Sequence, residues 1–255
     1  MSYALVTGAS SGIGECFARQ LAERHRNLVL VARSEGKLKA LAEELSAKYA
    51  IKAEANALDL SEFGAAQKLV EMLKDQDIEI DLLVNNAGFG AQGKFWKVSL
   101  EKQEQILRLN IHALLELTHL LLPPMVAKRA GGIINVSSTA SFQPLPYTSV
   151  YAASKAFVTS FSTGLAEELR PHGVKVVTLC PGTTETNFFK AGEYQTHRLR
   201  GGFQSPEEVA EAGLRQLNRG SGLVLSRNMD KAMIFVERFL PRSWVARVTA
   251  AMFKV

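Results

Sequence analysis

Tyr151 and Lys155 stand four residues apart, so on a helix the ammonium lies one turn beyond the phenol and on the same face. A phenol is a weak acid with an ordinary pKa near ~10, and a neighbouring cation should lower it by favouring the ionised form. Such a pair suits a carbonyl/alcohol couple, in which hydride joins carbon while a proton meets the developing alkoxide. By itself it is also what an exposed amphipathic helix presents by chance. Ser138, thirteen residues earlier, adds a hydroxyl able to orient the substrate oxygen. Its neighbour Ser137 should point to the opposite face, because side chains alternate along a strand.

A second group of residues is built for an anion. Thr7-Gly8-Ala9-Ser10-Ser11-Gly12-Ile13-Gly14 follows an apolar run and opens a helical pattern. Gly8, Gly12 and Gly14 permit a tight turn and close backbone approach to a diphosphate, and the helix N-terminus contributes N–H groups and a favourable dipole. The spacing is GxxxGxG, and a purely structural glycine turn is the competing reading. The next strand ends Val31-Ala32-Arg33. An NAD-selective site carries an acidic residue near there for the ribose 2′-hydroxyl, whereas Arg33 offers a guanidinium to a 2′-phosphate. NADP(H) over NAD(H) is therefore expected, unless Arg33 is merely a solvated loop residue.

The elements that must position these groups alternate. Short apolar or β-branched runs at 3–6, 27–32, 51–57, 82–85, 132–136, 175–180 and 223–226 read as strands. Helical patterns start near Gly12, Ser34, Ser61, Ser99, Tyr151 and Pro206, several behind a capping Ser. The alternation predicts an α/β, Rossmann-type doubly wound fold: a seven-stranded parallel sheet with helices on both faces. Loops 88–98, 138–150 and 183–204 follow strands and should line the ligand crevice. No linker or repeat divides the chain, so residues 1–228 read as one NADP-binding catalytic domain including substrate loop 183–204, with 229–255 a helical extension packed on it.

Composition narrows the function classes. The 255 residues are 47% hydrophobic and 22% charged, the balance of one globular domain. Purely apolar stretches stop well short of the ~20 residues a membrane span needs. The opening Met-Ser-Tyr-Ala-Leu-Val-Thr-Gly leads straight into a strand and leaves no room for a signal peptide, so a cytoplasmic location is expected. Cys16 and Cys180, like the five scattered histidines, lack metal-ligand spacing, and no metal is expected. The net charge of +5 is mostly interspersed, which argues against nucleic acid. Its excess sits in the tail, where Arg227, Lys231, Arg238, Arg242, Arg247 and Lys254 face only Asp230 and Glu237.

Taken in order, Thr7-Gly8-xxx-Gly12-x-Gly14, Asp59-Leu60, Asn85-Asn86-Ala87-Gly88, Asn110, Ser138, Tyr151-xxx-Lys155 and Pro181-Gly182 resemble the short-chain dehydrogenase/reductase family over residues 3 to about 190. The resemblance implies a catalytic tetrad of Asn110, Ser138, Tyr151 and Lys155, with Asn110 holding a water that links Lys155 to a proton relay. An Asn in an apolar helix would otherwise satisfy local backbone groups. Cofactor contacts would come from Gly8, Ser10, Ser11, Gly12, Ile13, Gly14, Arg33, Asp59, Leu60, Asn86, Ala87, Gly88, Tyr151, Lys155, Pro181, Gly182 and Thr186. Asp59 and Leu60 would meet the adenine; Pro181, Gly182 and Thr186 would flank the nicotinamide. Asn85 reads as a tie between strands. The sixth strand lacks the Asn that acyl-carrier-protein ketoreductases usually carry four residues before the Pro.

The expected function is an NADP(H)-dependent oxidoreductase acting on a small carbonyl/alcohol substrate. Competing readings are a catalytically silent NADP-binding regulator, which would not need the relay, and an epimerase or dehydratase, disfavoured by the GxxxGxG spacing. Phe142, Pro144, Leu145, Pro146, Tyr147, Phe188, Phe189, Tyr194 and Phe203 suggest an apolar pocket. Lys190, His197, Arg198 and Arg200 offer charge to an acidic substrate group, or simply solvate their loop. Resemblance implies a homodimer or homotetramer. Phe235, Val236, Phe239, Leu240, Trp244, Val245, Val248 and Met252 form helical stripes in the tail, for which packing on the domain is the preferred reading over pocket cover, interface or membrane contact.

Overall fold

The computed structural model describes residues 2–194 and 202–253. Seven strands form one parallel sheet in the order β3-β2-β1-β4-β5-β6-β7. They are β1 (Ser2–Thr7), β2 (Asn27–Ala32), β3 (Ala53–Ala57), β4 (Glu79–Asn85), β5 (Gly132–Val136), β6 (Lys175–Cys180) and β7 (Gly222–Leu225). The helices are α1 (Gly12–Glu23), α2 (Glu35–Tyr49), α3 (Ala65–Asp75), α4 (Leu100–Leu107), α5 (Leu114–Lys128), α6 (Ser149–Leu169), α7 (Phe188–Ala191), α8 (Pro206–Arg219), α9 (Asn228–Glu237) and α10 (Arg242–Phe253).

The central strands are buried on both faces, which explains why they read as nearly continuous apolar runs. One core layer collects Phe17, Leu21, Leu38 and Leu45 of α1 and α2 with Leu214 of α8. The other collects Leu69 and Leu73 of α3, Leu117 and Leu121 of α5, and Leu165 and Leu169 of α6. The order reverses its direction of winding between β1 and β4, and the ends of those strands carry Gly8 and Asn86. A crevice at such a switch point is where open α/β sheets bind ligands.

One helix starts later than expected. Helix α3 begins at Ala65 and not near Ser61, because the Asp59 carboxylate accepts both the N–H and the hydroxyl of Ser61, at 2.9 and 2.7 Å. That local turn outcompetes the first helical bonds. The helical run Leu100–Lys128 is long and apolar enough, by composition, to cross a membrane. It instead packs Ala113, Leu117, Leu121 and Met125 into the core, so it is read as a core helix.

That run is not uniform. Residues Arg108–Ala113 form a π-helical turn between α4 and α5, and it contains Asn110. Such turns recur at functional sites, because the wider backbone ring re-aims the side chains it carries.

Candidate active site

The end of β5, helix α6 and the π-turn bring the predicted centre together. Ser138 follows β5, with its hydroxyl accepting the Ala140 N–H at 3.1 Å and lying near enough to the Tyr151 phenol to act on its pKa. Ser137 points the other way, donating to the Lys155 carbonyl at 2.9 Å. The alternation expected of adjacent strand residues therefore separates the two serines. Tyr151 lies in the first turn of α6, half-buried, and Lys155 lies one turn later, 5% exposed. The Lys155 ammonium donates to the Val136 carbonyl at 2.8 Å and sits 6.0 Å from the Tyr151 ring centroid.

The electrostatics correct one expectation. Burial pushes the Tyr151 phenol up to about 12, with the Ser138 hydroxyl acting in the opposite direction. Burial also pushes the Lys155 ammonium down to about 8. Desolvation outweighs the attraction between ammonium and phenolate anticipated from sequence, since the ammonium is bonded to a backbone carbonyl and lies over the ring. The phenol is therefore held protonated, the form in which it can give a proton.

Asn110 is 1% exposed and its amide is fully engaged. Its oxygen accepts the Phe89 N–H at 3.1 Å; its nitrogen donates to the Phe89 carbonyl at 3.0 Å and to Ser154 Oγ at 3.0 Å. Ser154 in turn donates to the Tyr151 carbonyl at 2.7 Å. The side chain thus ties the loop after β4 to the helix carrying Tyr151. A second polar chain crosses the sheet below it. Asn85 donates to Thr118 at 3.1 Å and to Asn135 at 2.9 Å, and Asn135 donates to Ser162 at 2.9 Å. Asn85 is the strand tie expected of it.

The glycine loop is closed by Asn86. Its amide donates to the Thr7 carbonyl at 2.9 Å, and the Thr7 hydroxyl accepts from the N–H groups of Asn86 and Ala87, both at 2.9 Å. Gly8 adopts a φ of 66° against this amide. A β-carbon at Gly14 would stand 2.3 Å from the Gly8 carbonyl oxygen. Gly14→Ala should therefore separate loop from helix and cost about 1–3 kcal/mol, with dinucleotide affinity falling in parallel. Chemical denaturation and cofactor titration would check both.

Ser11 caps α1 without a side-chain hydrogen bond, which leaves its hydroxyl and the first-turn N–H groups for an anion. Ser10, Ser11, Gly12 and Thr186 line one cleft, whereas Ile13 packs against the core and Leu60 is buried within it. Any adenine contact from Leu60 therefore falls to its main chain. Arg33 is well exposed and 3.7 Å from the Asp59 carboxylate. Burial would raise the Asp59 pKa, but hydrogen bonds from Ser61 and the charge of Arg33 hold it below its ordinary value. The Gly88 Cα faces Asn110 Oδ1 and Lys155 Nζ, while the Pro181 carbonyl accepts the Thr139 N–H at 2.9 Å. Gly182 packs against Asp230, whose carboxylate accepts from Arg227. Thr186 accepts the Phe188 N–H at 3.3 Å.

The aromatic residues of loop 183–204 assemble over Tyr151. Phe188 lies 5.1 Å from the Tyr151 ring and 5.5 Å from Tyr194, and Phe189 contacts Phe188, Tyr194 and Phe203. Tyr194 Oη is 2.9 Å from Thr148 Oγ1. Sequence reasoning counted Tyr194 only as apolar bulk, and nothing in its spacing foretold the Thr148 partner. The cavity beside Tyr151, bounded by Phe95, Val98, Ile106 and Tyr147, measures ≈30 Å³, space for little more than a water. Lys190 is exposed; His197, Arg198 and Arg200 lie outside the described residues. Cys16 and Cys180 are free and buried, and among the described residues no cluster of His, Cys, Asp or Glu could hold a metal ion.

Residues 2–196 match the family model described as short chain dehydrogenase. The chain belongs to the short-chain dehydrogenase family. It is 35% identical over 218 residues to hydroxysteroid dehydrogenase-like protein 1 of Gallus gallus, covering 84% of this chain and 65% of that protein. The chain thus spans slightly under two thirds of that relative's length. It is 32% identical to ketoacyl reductase HetN of Nostoc sp., covering 94% of this chain and 85% of that one. A solved short-chain dehydrogenase from Sphingobium yanoikuyae in complex with NADPH superposes with a TM-score of 0.84 at 30% identity, covering 95% and 97% of the two chains. The Rossmann-type fold is that of other short-chain dehydrogenases.

Proposed function

We propose that this short-chain dehydrogenase reduces an apolar ketone or aldehyde to the alcohol with NADPH, and runs the reverse oxidation with NADP. The observation that carries the reading is the convergence of the Ser138 and Tyr151 hydroxyls, with Lys155 one turn behind the phenol. A dinucleotide fits the chain's own residues, since the loop from Gly8 to Gly14 has no room for side chains where it closes on Asn86 and α1 presents an uncapped N-terminus. Bound there, its nicotinamide supplies the hydride.

The residues then divide the remaining work. Ser138 orients the substrate oxygen, and Tyr151 gives its proton as charge develops there. Lys155 keeps a positive charge behind the phenol and leads toward proton resupply, while Asn110 positions the helix through Ser154 and Phe89. Arg33 would turn from Asp59 to the cofactor 2′-phosphate. The aromatic cluster selects an apolar substrate, which reaches Tyr151 when Phe188 or Tyr194 gives way. Names of the relatives, a hydroxysteroid dehydrogenase-like protein and a ketoacyl reductase, fit a bulky apolar ketone. We further propose homo-oligomer formation through α5 and α6, where Leu115 and Phe157 are exposed.

The test is a panel of ketones, aldehydes and secondary alcohols, followed by cofactor absorbance with NADPH and NADH for wild type and Arg33→Ala. Turnover with NADPH is expected, and the variant should lose about ten- to a hundredfold of its NADPH preference in kcat/KM, the worth of one charge-assisted hydrogen-bonding group. An unchanged preference would remove Arg33 from the assignment. Inactivity across the whole panel would replace the enzyme with a nucleotide-binding regulator.

A further inference from the structure

Helices α9 and α10 do not bury their apolar residues as sequence periodicity suggests. On α9 the inward stripe is Asp230, Ile234 and Glu237, three to four residues apart; on α10 it is Val245 and Thr249. The larger apolar side chains look outward: Phe235 is 62% exposed, Phe239 75% and Trp244 52%. Met229, Met233, Val236 and Val248 are exposed beside them, and the rings of Phe235 and Phe239 meet edge to face at 5.4 Å. Packing, the reading preferred from sequence, accounts for Val245 and in part for Leu240, and leaves Phe235, Val236, Phe239, Trp244 and Val248 without cover; the Met252 side chain lies outside what is described.

The charges sort in the same direction. Lys231, Arg238, Arg242 and Arg247 are exposed. The only carboxylates of the two helices are turned inward: Asp230 is 5% exposed and accepts from Arg227, and burial pushes the Glu237 carboxyl up. The outer surface of this segment is thus apolar and cationic, with no carboxylate of its own among the described residues.

We propose that this face docks on an anionic lipid surface, with Phe235, Phe239 and Trp244 inserted at the headgroup boundary and the four cations paired with lipid phosphate and carboxylate. An amphipathic helix with aromatic residues among Lys and Arg binds such a surface by combined apolar burial and charge attraction. A second copy of the chain is the poorer occupant. A two-fold interface lays one patch against itself, which here sets four cations opposite the same four cations. The inner side of α10 meets the substrate region, since Thr249 donates to the Pro144 carbonyl at 2.9 Å and Gln92 donates to the Phe253 carbonyl at 2.8 Å. Docking therefore sets the entrance near Tyr151 against the apolar phase.

Vesicle flotation of the full chain tests this without recourse to turnover. Phosphatidylcholine vesicles and phosphatidylcholine/phosphatidylserine vesicles would be compared for wild type, Phe235→Ser/Phe239→Ser and Arg238→Gln/Arg242→Gln/Arg247→Gln. Wild type should float with the anionic vesicles only, and less so at high salt. The triple Gln variant should bind about a hundredfold more weakly, at about fivefold per cation lost. With Trp96→Phe leaving Trp244 as the sole tryptophan, its emission should shift to the blue on anionic vesicles. All substitutions are at exposed positions, and far-UV circular dichroism confirms folding. No flotation with anionic vesicles, or equal flotation of the triple Gln variant, would overturn the proposal. So would a dimer by light scattering that the Phe→Ser pair converts to monomer without any vesicle binding in wild type.

Discussion

Tyr151→Phe should lower kcat for ketone reduction by about a thousandfold, within the 10²–10⁴ range of a positioned proton donor, while leaving NADPH affinity and folding nearly unchanged. The ring keeps its contact with Phe188, so the substitution removes one hydroxyl and little packing. NADPH fluorescence titration separates binding from turnover, and a variant retaining activity within tenfold of wild type would assign the proton to another group. The pH profile carries a second signature. With the phenol pushed up to about 12 and the ammonium down to about 8, both hold their protons at neutral pH. Reduction should stay level up to about pH 8 and decline above it as Lys155 loses its charge. Oxidation, which needs the phenolate, should rise with pH over the same range.

Lys155→Met should abolish turnover and yet make the cofactor-free protein more stable at pH 7. The ammonium is 5% exposed, and burial holds it near 8. An unfolded lysine titrates near ~10.4, so the unfolded chain binds more protons between those values, and stability rises with pH across that window. The cost of burying the charge is fully present below pH 8 and gone above the unfolded value; it is on the order of 3 kcal/mol. Losing the hydrogen bond to the Val136 carbonyl returns about 1 kcal/mol of that. A net gain of about 2 kcal/mol is expected from urea denaturation at pH 7, shrinking toward pH 10. A less stable Met variant at pH 7 would show that the ammonium is well solvated through its neighbours.

Both results turn on burial, which a one-dimensional pattern conveys poorly. The apolar runs of β1, β2, β5 and β6 announce a parallel sheet because strands covered on both faces have little room for polar residues. The glycine loop was legible for a related reason, since a side chain at Gly8 would collide with the Asn86 amide and one at Gly14 with the Gly8 carbonyl. The Tyr151 and Lys155 spacing told of a shared face but carried no information on solvent, and the direction of both pKa shifts followed from solvent. The tail failed for the opposite reason. Its stripes mark an amphipathic helix correctly, but periodicity does not say whether the apolar side meets protein or something else. Tyr194 and Thr148 are 46 positions apart, and only the path of residues 183–194 brings them together.

The π-turn at Arg108–Ala113 makes the helix around Asn110 one residue longer than a regular α-helix of the same span. Each residue of an α-helix advances the azimuth by about 100°. Excising one position from this turn would straighten the hydrogen-bond ladder and close the helix over the same span, keeping Leu117 and Leu121 in phase with the core. The side chains of the turn itself would be re-aimed by about that angle, and Asn110 would leave Phe89 and Ser154. The fold thus tolerates a deletion that the reaction centre does not.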